Sequence, residues 1–171
     1  MPTILIVAGP NGAGKTTFAN ALFAAEAWGW PYLNADEIGR EELSHLPPTE
    51  RAIGAGRLLL ARLDALVASG GDFGLETTLS SGLYARRIPA WRAEGYRIEL
   101  VYVRLAAVEA SIARVALRVA RGGHGVPEVD LRRRFERSLR NLDLLYKPAV
   151  DAWEVWDSYD DNVRLGERSA R

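Results

Sequence analysis

Short apolar runs alternate with amphipathic stretches along most of this chain. Five runs have the length and the β-branched or aromatic content of buried strands, and they lie at 4–8, 30–34, 72–76, 97–104 and 153–157. Apolar residues that recur every three or four positions predict helices at 16–27, 41–46, 50–68, 83–93, 108–120 and 128–145. Thr49 is the expected N-cap of the longest helix, and Gly70-Gly71 the expected end.

Strands that alternate with helices predict a parallel sheet, because right-handed crossovers place helices on both of its faces. We therefore expect one three-layer α/β/α domain over residues 1–171, with a five-stranded parallel sheet and a small helical lid at about 118–135. The polar segment 162–171 is expected to be flexible. Ligands of such a sheet bind at the carboxyl ends of its strands.

A glycine-rich loop joins the first apolar run to the first predicted helix. Its residues match the pattern G-x-x-x-x-G-K-[ST] and are Gly9, Pro10, Asn11, Gly12, Ala13, Gly14, Lys15, Thr16 and Thr17. Glycines let successive backbone N–H groups surround a phosphate, and the helix start adds partial positive charge. A chance match is expected in on the order of one such chain per thousand. We predict an ATP-binding P-loop, with Lys15 on the β- and γ-phosphates and Thr16 on Mg²⁺.

Composition narrows the possible functions further. The chain has 22 basic and 22 acidic residues, so no global field favours nucleic acid or an anionic membrane. The absence of cysteine excludes disulfides and thiolate catalysis. No apolar run approaches the ~18 residues of a membrane span, and the first strand begins too early to leave room for a signal peptide. We expect a cytoplasmic protein without a membrane partner.

Two predicted strands end in carboxylates on the edge that carries the P-loop. Asp36, after the second strand, is a candidate general base for a phosphoryl acceptor, although Asn34 or Asp36 could equally be an ordinary helix N-cap. Glu37, one residue further, should point elsewhere. Glu76, at the end of the third strand, and Thr78 could bind a polar acceptor, or Glu76 could position Mg²⁺ through water. The alternative for Glu76 is a solvated strand end.

Segment 111–140 contains eight arginines and three acidic residues. Most such runs are solvated helical faces. However, small P-loop kinases also form a lid from two helices separated by a glycine-rich break. Arg118 and Arg121 precede Gly122 and are the best candidates to neutralise a transferring phosphoryl group. His124 is interpreted as a loop residue. The competing hypothesis is a P-loop ATPase with a regulatory or RNA-associated role, in which these arginines bind a phosphate backbone.

At this point the chain resembles the zeta-toxin family of P-loop kinases, in its short bacterial branch, with a shikimate-kinase-like architecture. The resemblance covers nearly the whole chain. The P-loop is generic, but the ordered set of motifs is fairly specific. They are the P-loop at 9–17, Asn-Ala-Asp-Glu at 34–37, Leu-Glu-Thr-Thr-Leu-Ser at 75–80, Arg-Val-Ala-Arg-Gly-Gly-His at 118–124, Val-Pro-Glu at 126–128 and Arg-Ser-Leu-Arg-Asn-Leu at 137–142.

The resemblance implies an ATP- and Mg²⁺-dependent kinase that phosphorylates the amino-sugar hydroxyl of UDP-N-acetylglucosamine. It implies Asp36 as the base, Lys15 and Arg118 on the phosphates, and Glu76 and Thr78 on the sugar nucleotide.

The chain also departs from the family pattern. Arg57 stands where the family has a sugar-contacting carboxylate, and His124 stands where it has a lid arginine, which leaves Arg121 or Arg134 as a substitute. The chain lacks the large extra segments of full-length toxins, so the resemblance does not by itself imply an antitoxin partner.

Overall fold

A computed structural model describes residues 1–123, 125–159 and 162–170 of the chain. The strands are β1 (Thr3–Ala8), β2 (Tyr32–Leu33), β3 (Phe73–Thr77), β4 (Arg97–Arg104), β5 (Ala152–Tyr159) and β6 (Asn162–Arg168). The helices are α1 (Lys15–Ala25), α2 (Ala35–Glu42), α3 (Pro48–Ser69), α4 (Ile88–Ala93), α5 (Val108–Ala120) and α6 (Glu128–Asn141), followed by a π-helical turn at Leu142–Tyr146.

The strands form one sheet in the order β2-β3-β1-β4-β5-β6. The first five in this order are parallel, as predicted, and β1 lies at the centre, where residues 4–8 are all buried. One face of the sheet packs on α3 and α4 through a core that includes Ile6, Leu59 and Leu100. The other face packs on α1 through Leu5, Val7 and Ala19. The carboxyl ends of β1, β2 and β3 therefore meet at one edge.

The structure adds a sixth strand where the sequence predicted a flexible tail at 162–171. Strand β6 runs antiparallel to β5, and Ser169 N donates to Trp153 O at 2.9 Å. Arg104 joins both strands, since Nε donates to Asp157 Oδ1 and Nη1 donates to Glu167 Oε1, each at 2.6 Å. The tail prediction is wrong because this edge strand exposes most of its side chains. Its pairing depends on backbone groups, which leave no apolar pattern.

Several helix boundaries also differ from the predictions. The helix expected at 41–46 is wrong in both bounds, since α2 begins at Ala35, where Asn34 caps it, and ends at Glu42. The expected N-cap Thr49 lies inside α3, whose N-cap is Pro47. The helix expected at 83–93 is regular only from Ile88, and the one expected at 128–145 becomes a π-helical turn after Asn141. Among the described residues no helix combines the length and hydropathy that a membrane crossing requires.

Gly74 in β3 lies against the aromatic rings of Phe23 in α1 and Tyr32 in β2. A Cβ atom at this position would lie 2.8 Å from both Phe23 Cζ and Tyr32 Cδ2. We expect Gly74→Ala to lower the free energy of unfolding by about 1–3 kcal/mol, because an extra carbon must displace packed rings. Urea denaturation measures this change.

Gly56 in α3 provides the matched control, since a Cβ there would meet no atom within 4 Å. Gly56→Ala should raise the free energy of unfolding by about 0.5–1 kcal/mol, because alanine loses less backbone entropy in a helix. Equal effects of the two alanines would contradict the packing constraint at Gly74.

Candidate active site

The glycine-rich loop between β1 and α1 has the backbone conformation of a phosphate cradle. Gly9, Gly12 and Gly14 have φ values of 147°, 77° and 89°. At Gly9 a Cβ atom would lie 2.3 Å from Val103 O of β4, so no larger residue fits. These glycines therefore allow a turn that carries the chain from the end of β1 into the start of α1.

The first turn of α1 is left available for an anion. Its N-cap is Gly14, and among the described residues no side chain caps the helix and no acidic residue occupies its first turn. Backbone N–H groups at such a helix start lack intrahelical partners and carry partial positive charge. The loop and the helix start together fit the β-phosphate of a nucleotide.

Helix α5 supports the outer side of this loop. Ser111 Oγ donates to Asn11 O at 2.6 Å, and Arg114 Nη1 donates to Gly12 O at 3.4 Å and to Ser158 Oγ at 2.8 Å. The loop is therefore held between α1 and α5 rather than exposed as a free turn.

Lys15 is buried at the base of the cradle. Its Nζ donates to Pro10 O at 3.1 Å and lies 3.8 Å from Glu76 Oε1. Burial lowers the pKa of the Lys15 ammonium from 10.5; the carboxylates of Glu76 and Asp36 oppose this shift, and Arg118 reinforces it. A bound phosphate would add negative charge beside Nζ and stabilise the ammonium.

Glu76 connects three other elements of the site. Its Oε2 accepts hydrogen bonds from Thr16 Oγ1 at 2.8 Å, Asn34 Nδ2 at 3.0 Å and Tyr32 OH at 3.2 Å. Burial and the neighbouring Glu76 carboxylate both raise the pKa of Tyr32, which keeps its hydroxyl protonated as a donor. Glu76 is thus a bonded carboxylate inside the site and not a solvated strand end. Because the Thr16 proton points to Glu76, oxygen lone pairs remain to face a metal such as Mg²⁺.

Asp36 is exposed at the rim of the same cleft. The N-cap of α2 is Asn34, whose Oδ1 accepts from Asp36 N at 2.9 Å, so the Asp36 carboxylate does not cap the helix. Within the described part of the chain this carboxylate makes no hydrogen bond. Glu37 also lines the cleft, contrary to the expectation that it points elsewhere. Burial raises the pKa of Glu37, Arg40 opposes this, and Glu76 reinforces it.

The cleft has a volume of about 700 Å³ and brings most of the predicted residues together. Its lining includes residues of the P-loop, two carboxylates, a threonine after β3 and two arginines from the end of α5: Asn11, Gly12, Gly14, Lys15, Thr16, Thr17, Asp36, Glu76, Thr78, Arg118 and Arg121. Arg57 is exposed on α3 and does not line it. The buried residues of α3 are Ala55, Leu59 and Leu63, and Arg57 is not on this buried face.

The glycine pair after α5 closes the helix instead of loosening it. Gly122 N donates to Val119 O and Gly123 N donates to Arg118 O, each at 2.9 Å, which is a Schellman helix end. A Cβ atom on Gly123 would lie 2.6 Å from Arg118 Cγ, so the turn packs against the stem of that arginine. Arg118 Nε is buried and has no hydrogen-bond partner among the described residues. His124 lies outside the described residues.

Three consecutive arginines of α6 lie outside the cleft. Arg132 pairs with Glu128 and Glu109, and Arg133 pairs with Asp130, on an exposed face. Arg134 is half-buried and does not line the cleft, so of the two proposed substitutes for His124 only Arg121 reaches it.

A second, more apolar groove of about 550 Å³ adjoins the P-loop. Gly14 and Thr17 border both cavities, and Phe18 and Trp156 meet edge to face in the groove with ring centroids 5.3 Å apart. The groove has the position and character expected for the base of a nucleotide whose phosphates occupy the loop.

Sequence reasoning did not assign site roles to Tyr32, Ser111 or Arg114, and it considered Asn34 only as a cap. The sequence did contain a signal for Tyr32 and Asn34. They are two residues apart in a predicted strand, so their side chains share one face of it. The register that pairs Leu33 with Leu75 brings Asn34 beside Glu76. The register between β2 and β3 depends on tertiary packing, so the contact could not be predicted.

The two lysines of the chain should affect stability in opposite directions. Because burial lowers the pKa of Lys15, its ammonium is less stable in the folded than in the unfolded protein at neutral pH. Lys15→Met should therefore raise the free energy of unfolding of the ligand-free protein by about 1 kcal/mol, measured by urea denaturation at pH 7.

Lys147→Met is the control. Lys147 Nζ lies 2.8 Å from Asp143 Oδ1 and 4.4 Å above the ring of Trp153, so its removal should lower stability by up to about 1 kcal/mol. A loss of stability in Lys15→Met would show that the buried ammonium is well compensated before any ligand binds.

Solved structures with low sequence identity share this fold. A chain of the AvrRxo1-ORF1:-ORF2 complex with ATP matches with a TM-score of 0.73 and 16% identity, over 98% of this chain and 58% of that chain. A chain of the PezAT toxin-antitoxin system of Streptococcus pneumoniae matches with a TM-score of 0.64 and 16% identity, over 95% of this chain and 71% of that chain. Shikimate kinase from Acinetobacter baumannii, in complex with shikimate, matches with a TM-score of 0.54 and 19% identity, over 95% of this chain and 84% of that chain.

These likenesses confirm the predicted P-loop kinase fold, with six strands in place of five. This chain spans little more than half the length of the AvrRxo1 chain that it matches. The family model that matches residues 1–164 is described as Zeta toxin. With nearly its whole length matched, the chain belongs to the zeta toxin family and is a phosphotransferase of the P-loop kinase class.

Proposed function

We propose that this protein transfers the γ-phosphoryl group of ATP to a hydroxyl of a sugar nucleotide similar to UDP-N-acetylglucosamine. The observation that carries the proposal is the Asp36 carboxylate, which is free of capping and lines the same cleft as Lys15 and Thr16. A phosphoryl acceptor needs a carboxylate beside the P-loop to take its hydroxyl proton. Because ATP is a cytoplasmic nucleotide, the proposed reaction belongs in the cytoplasm.

The nucleotide half of the cleft would hold ATP through the backbone of residues 9–17. Lys15 would contact the β- and γ-phosphates, and the apolar groove beside Phe18 and Trp156 would receive the base. Thr16 would offer a lone pair to Mg²⁺, which supplies charge neutralisation on the phosphates when bound. The open cradle and the uncapped start of α1 support this assignment.

The acceptor half would contain Asp36, Glu76 and Thr78. Asp36 would accept the proton of the attacking hydroxyl. The hydroxyl oxygen then bonds to the γ-phosphorus, while the bond between that phosphorus and the β-γ bridging oxygen breaks and ADP leaves. Glu76 uses Oε2 for the protein network and leaves Oε1, 3.8 Å from Lys15 Nζ, to orient an acceptor hydroxyl. Thr78 would add a hydroxyl contact at the same rim.

The charge of the cleft supports an acceptor that itself carries phosphate. Its basic lining residues are Lys15, Arg40, Arg114, Arg118 and Arg121, and its acidic lining residues are Asp36, Glu37 and Glu76. ATP alone does not require basic residues on both sides of the cleft, whereas a nucleoside diphosphate sugar brings a second group of negative charges. Arg40 pairs with Glu41 at 3.2 Å through exposed side chains, and such a weak surface pair leaves the guanidinium available to a phosphate of the acceptor.

The alternative of an RNA-associated ATPase has less support. Arg132 and Arg133 are engaged in ion pairs with neighbouring acidic side chains, which reduces the charge that α6 could offer a phosphate backbone. The likeness to the PezAT chain supports a protein antitoxin as the partner class, and co-purification with the products of neighbouring genes tests this.

The experiment that tests the proposal is a screen of acceptors with γ-labelled ATP and Mg²⁺. We expect label in a UDP-sugar and not in the corresponding neutral sugar. Asp36→Asn should keep ATP affinity and thermal stability but lose at least about 10²-fold in kcat, because the amide cannot accept a proton. Free phosphate as the only labelled product, or an active Asp36→Asn variant, would contradict the proposal.

The two lid arginines should matter for turnover more than for binding. Arg118→Ala and Arg121→Ala should each lower kcat by roughly 10²-fold, since charge on the transferring group is redistributed in the transition state. Their KM for ATP should change by a smaller factor. Lysine at either position should restore activity only in part, because one point charge cannot replace a bidentate fork.

Arg132→Ala is the matched control for both, since this arginine is exposed and paired with Glu128 and Glu109 outside the cleft. It should keep wild-type kinetics. Equal losses in all three variants, together with a parallel loss of RNA affinity, would assign the segment to nucleic acid instead.

A further inference from the structure

Asn34 uses both ends of its side-chain amide inside the site. Its Oδ1 accepts from Asp36 N at 2.9 Å, and its Nδ2 donates to Glu76 Oε2 at 3.0 Å and lies 3.5 Å from Thr16 Oγ1. The side chain is buried between the end of β2 and the start of α2. One residue thus contacts the segment that carries the proposed base, the strand-end carboxylate and the proposed metal-binding hydroxyl.

Helix capping does not account for the choice of asparagine here. Serine and aspartate cap helices about as well as asparagine does, because each offers an oxygen to the free backbone N–H. Aspartate has no donor at neutral pH, and serine has a single side-chain oxygen, which cannot occupy the positions of both Oδ1 and Nδ2 of the amide. A carboxylate at position 34 would also face that of Glu76 at about 3 Å, where like charges repel. The N–H donor of the amide is therefore a second, separate requirement of the site.

We propose that Asn34 is a positioning residue that holds Glu76 and Thr16 in register with Asp36. This inference rests on the proposed kinase function and deepens it, because it assigns a role to a residue that does not itself touch the reacting atoms. The amide fixes Glu76 Oε2, and Glu76 Oε2 in turn accepts the Thr16 proton at 2.8 Å. With its proton donated to Glu76, the Thr16 hydroxyl keeps oxygen lone pairs for a metal, as a metal-binding residue requires.

Tyr32 is the other side-chain donor to this oxygen from β2, through its hydroxyl at 3.2 Å. Asn34 differs from Tyr32 in one respect, since it alone of the two also contacts the backbone of Asp36. Loss of Tyr32 OH should therefore loosen Glu76 only. Loss of the Asn34 amide should loosen Glu76 and uncouple it from the α2 segment as well.

The test separates capping from positioning with two substitutions at one site. Asn34→Ala removes both the cap and the donor, and we expect it to lower Tm and raise the Mg²⁺ concentration needed for half-maximal activity. Asn34→Ser restores the cap only. It should regain most of the Tm but keep about a 10-fold higher Mg²⁺ requirement, the effect typical of losing a residue that orients a metal ligand. Its KM for ATP should change much less.

A readout without turnover accompanies this measurement. Mg²⁺ should raise the Tm of wild-type protein saturated with a non-hydrolysable ATP analogue, because a ligand that binds only the folded state stabilises it. In Asn34→Ser this Mg²⁺-dependent rise should be smaller at equal concentration. Tyr32→Phe should show the same reduction to a lesser degree.

Tyr96→Phe is the matched control for the loss of a part-buried tyrosine hydroxyl. Tyr96 OH lies 3.1, 3.2 and 3.2 Å from the carbonyl oxygens of Leu66, Val67 and Gly71, one of which accepts its proton, and none of these residues lines the cleft. This variant should lose stability without any change in Mg²⁺ requirement or in the Mg²⁺-dependent rise of Tm.

The outcomes distinguish this inference from the proposed function. If Asn34→Ser matches wild type in both Tm and Mg²⁺ requirement, while wild type phosphorylates a UDP-sugar, Asn34 is only a cap and the inference is wrong. If wild type phosphorylates no acceptor, but Asn34→Ser still reduces the Mg²⁺-dependent rise of Tm, the acceptor assignment is wrong and the positioning role stands.

Discussion

The active-site cleft depends on the satisfaction of one carboxylate oxygen, Oε2 of Glu76. Donors from α1, from β2 and from the turn that enters α2 converge on it, through Thr16, Tyr32 and Asn34. A partly buried carboxylate is costly unless hydrogen bonds compensate its lost hydration, so these segments cannot move independently. The positions of the P-loop, the end of β3 and the start of α2 therefore depend on one another through Glu76.

The basic side of the cleft is arranged differently, since two of its charged groups, Lys15 and Arg118, lack full compensation among the described residues. Lys15 is buried at a cost that lowers the pKa of its ammonium, and Arg118 keeps a buried Nε without a partner among the residues described. Active sites commonly accept such local cost because the ligand supplies the missing partners. An anionic substrate would supply the missing partners of both groups, as phosphoryl transfer requires.

Much of the fold and of the site could be predicted because it follows from local pattern. The P-loop motif predicted its own backbone conformation, and the strand-helix alternation predicted the parallel sheet that brings Asp36 and Glu76 to one edge. Strand β6 could not be predicted, since an edge strand with exposed side chains carries no periodicity. The sequence predicted a flexible break at Gly122-Gly123, and the structure has a hydrogen-bonded helix end there. A glycine pair is compatible with either conformation, so the sequence alone could not distinguish them.

The sequence by itself determined the chemistry of this protein: one phosphate-binding loop with its lysine, and carboxylates that follow two predicted strands. These signals are local, so spacing along the chain is enough to interpret them. Only the tertiary structure decided which side chains meet. It left Arg57 outside the cleft, brought Arg114 against the loop, and joined Asn34 to Glu76 through the register of β2 on β3. Such contacts depend on how separate elements pack, and packing is a property of the whole domain that no single segment encodes.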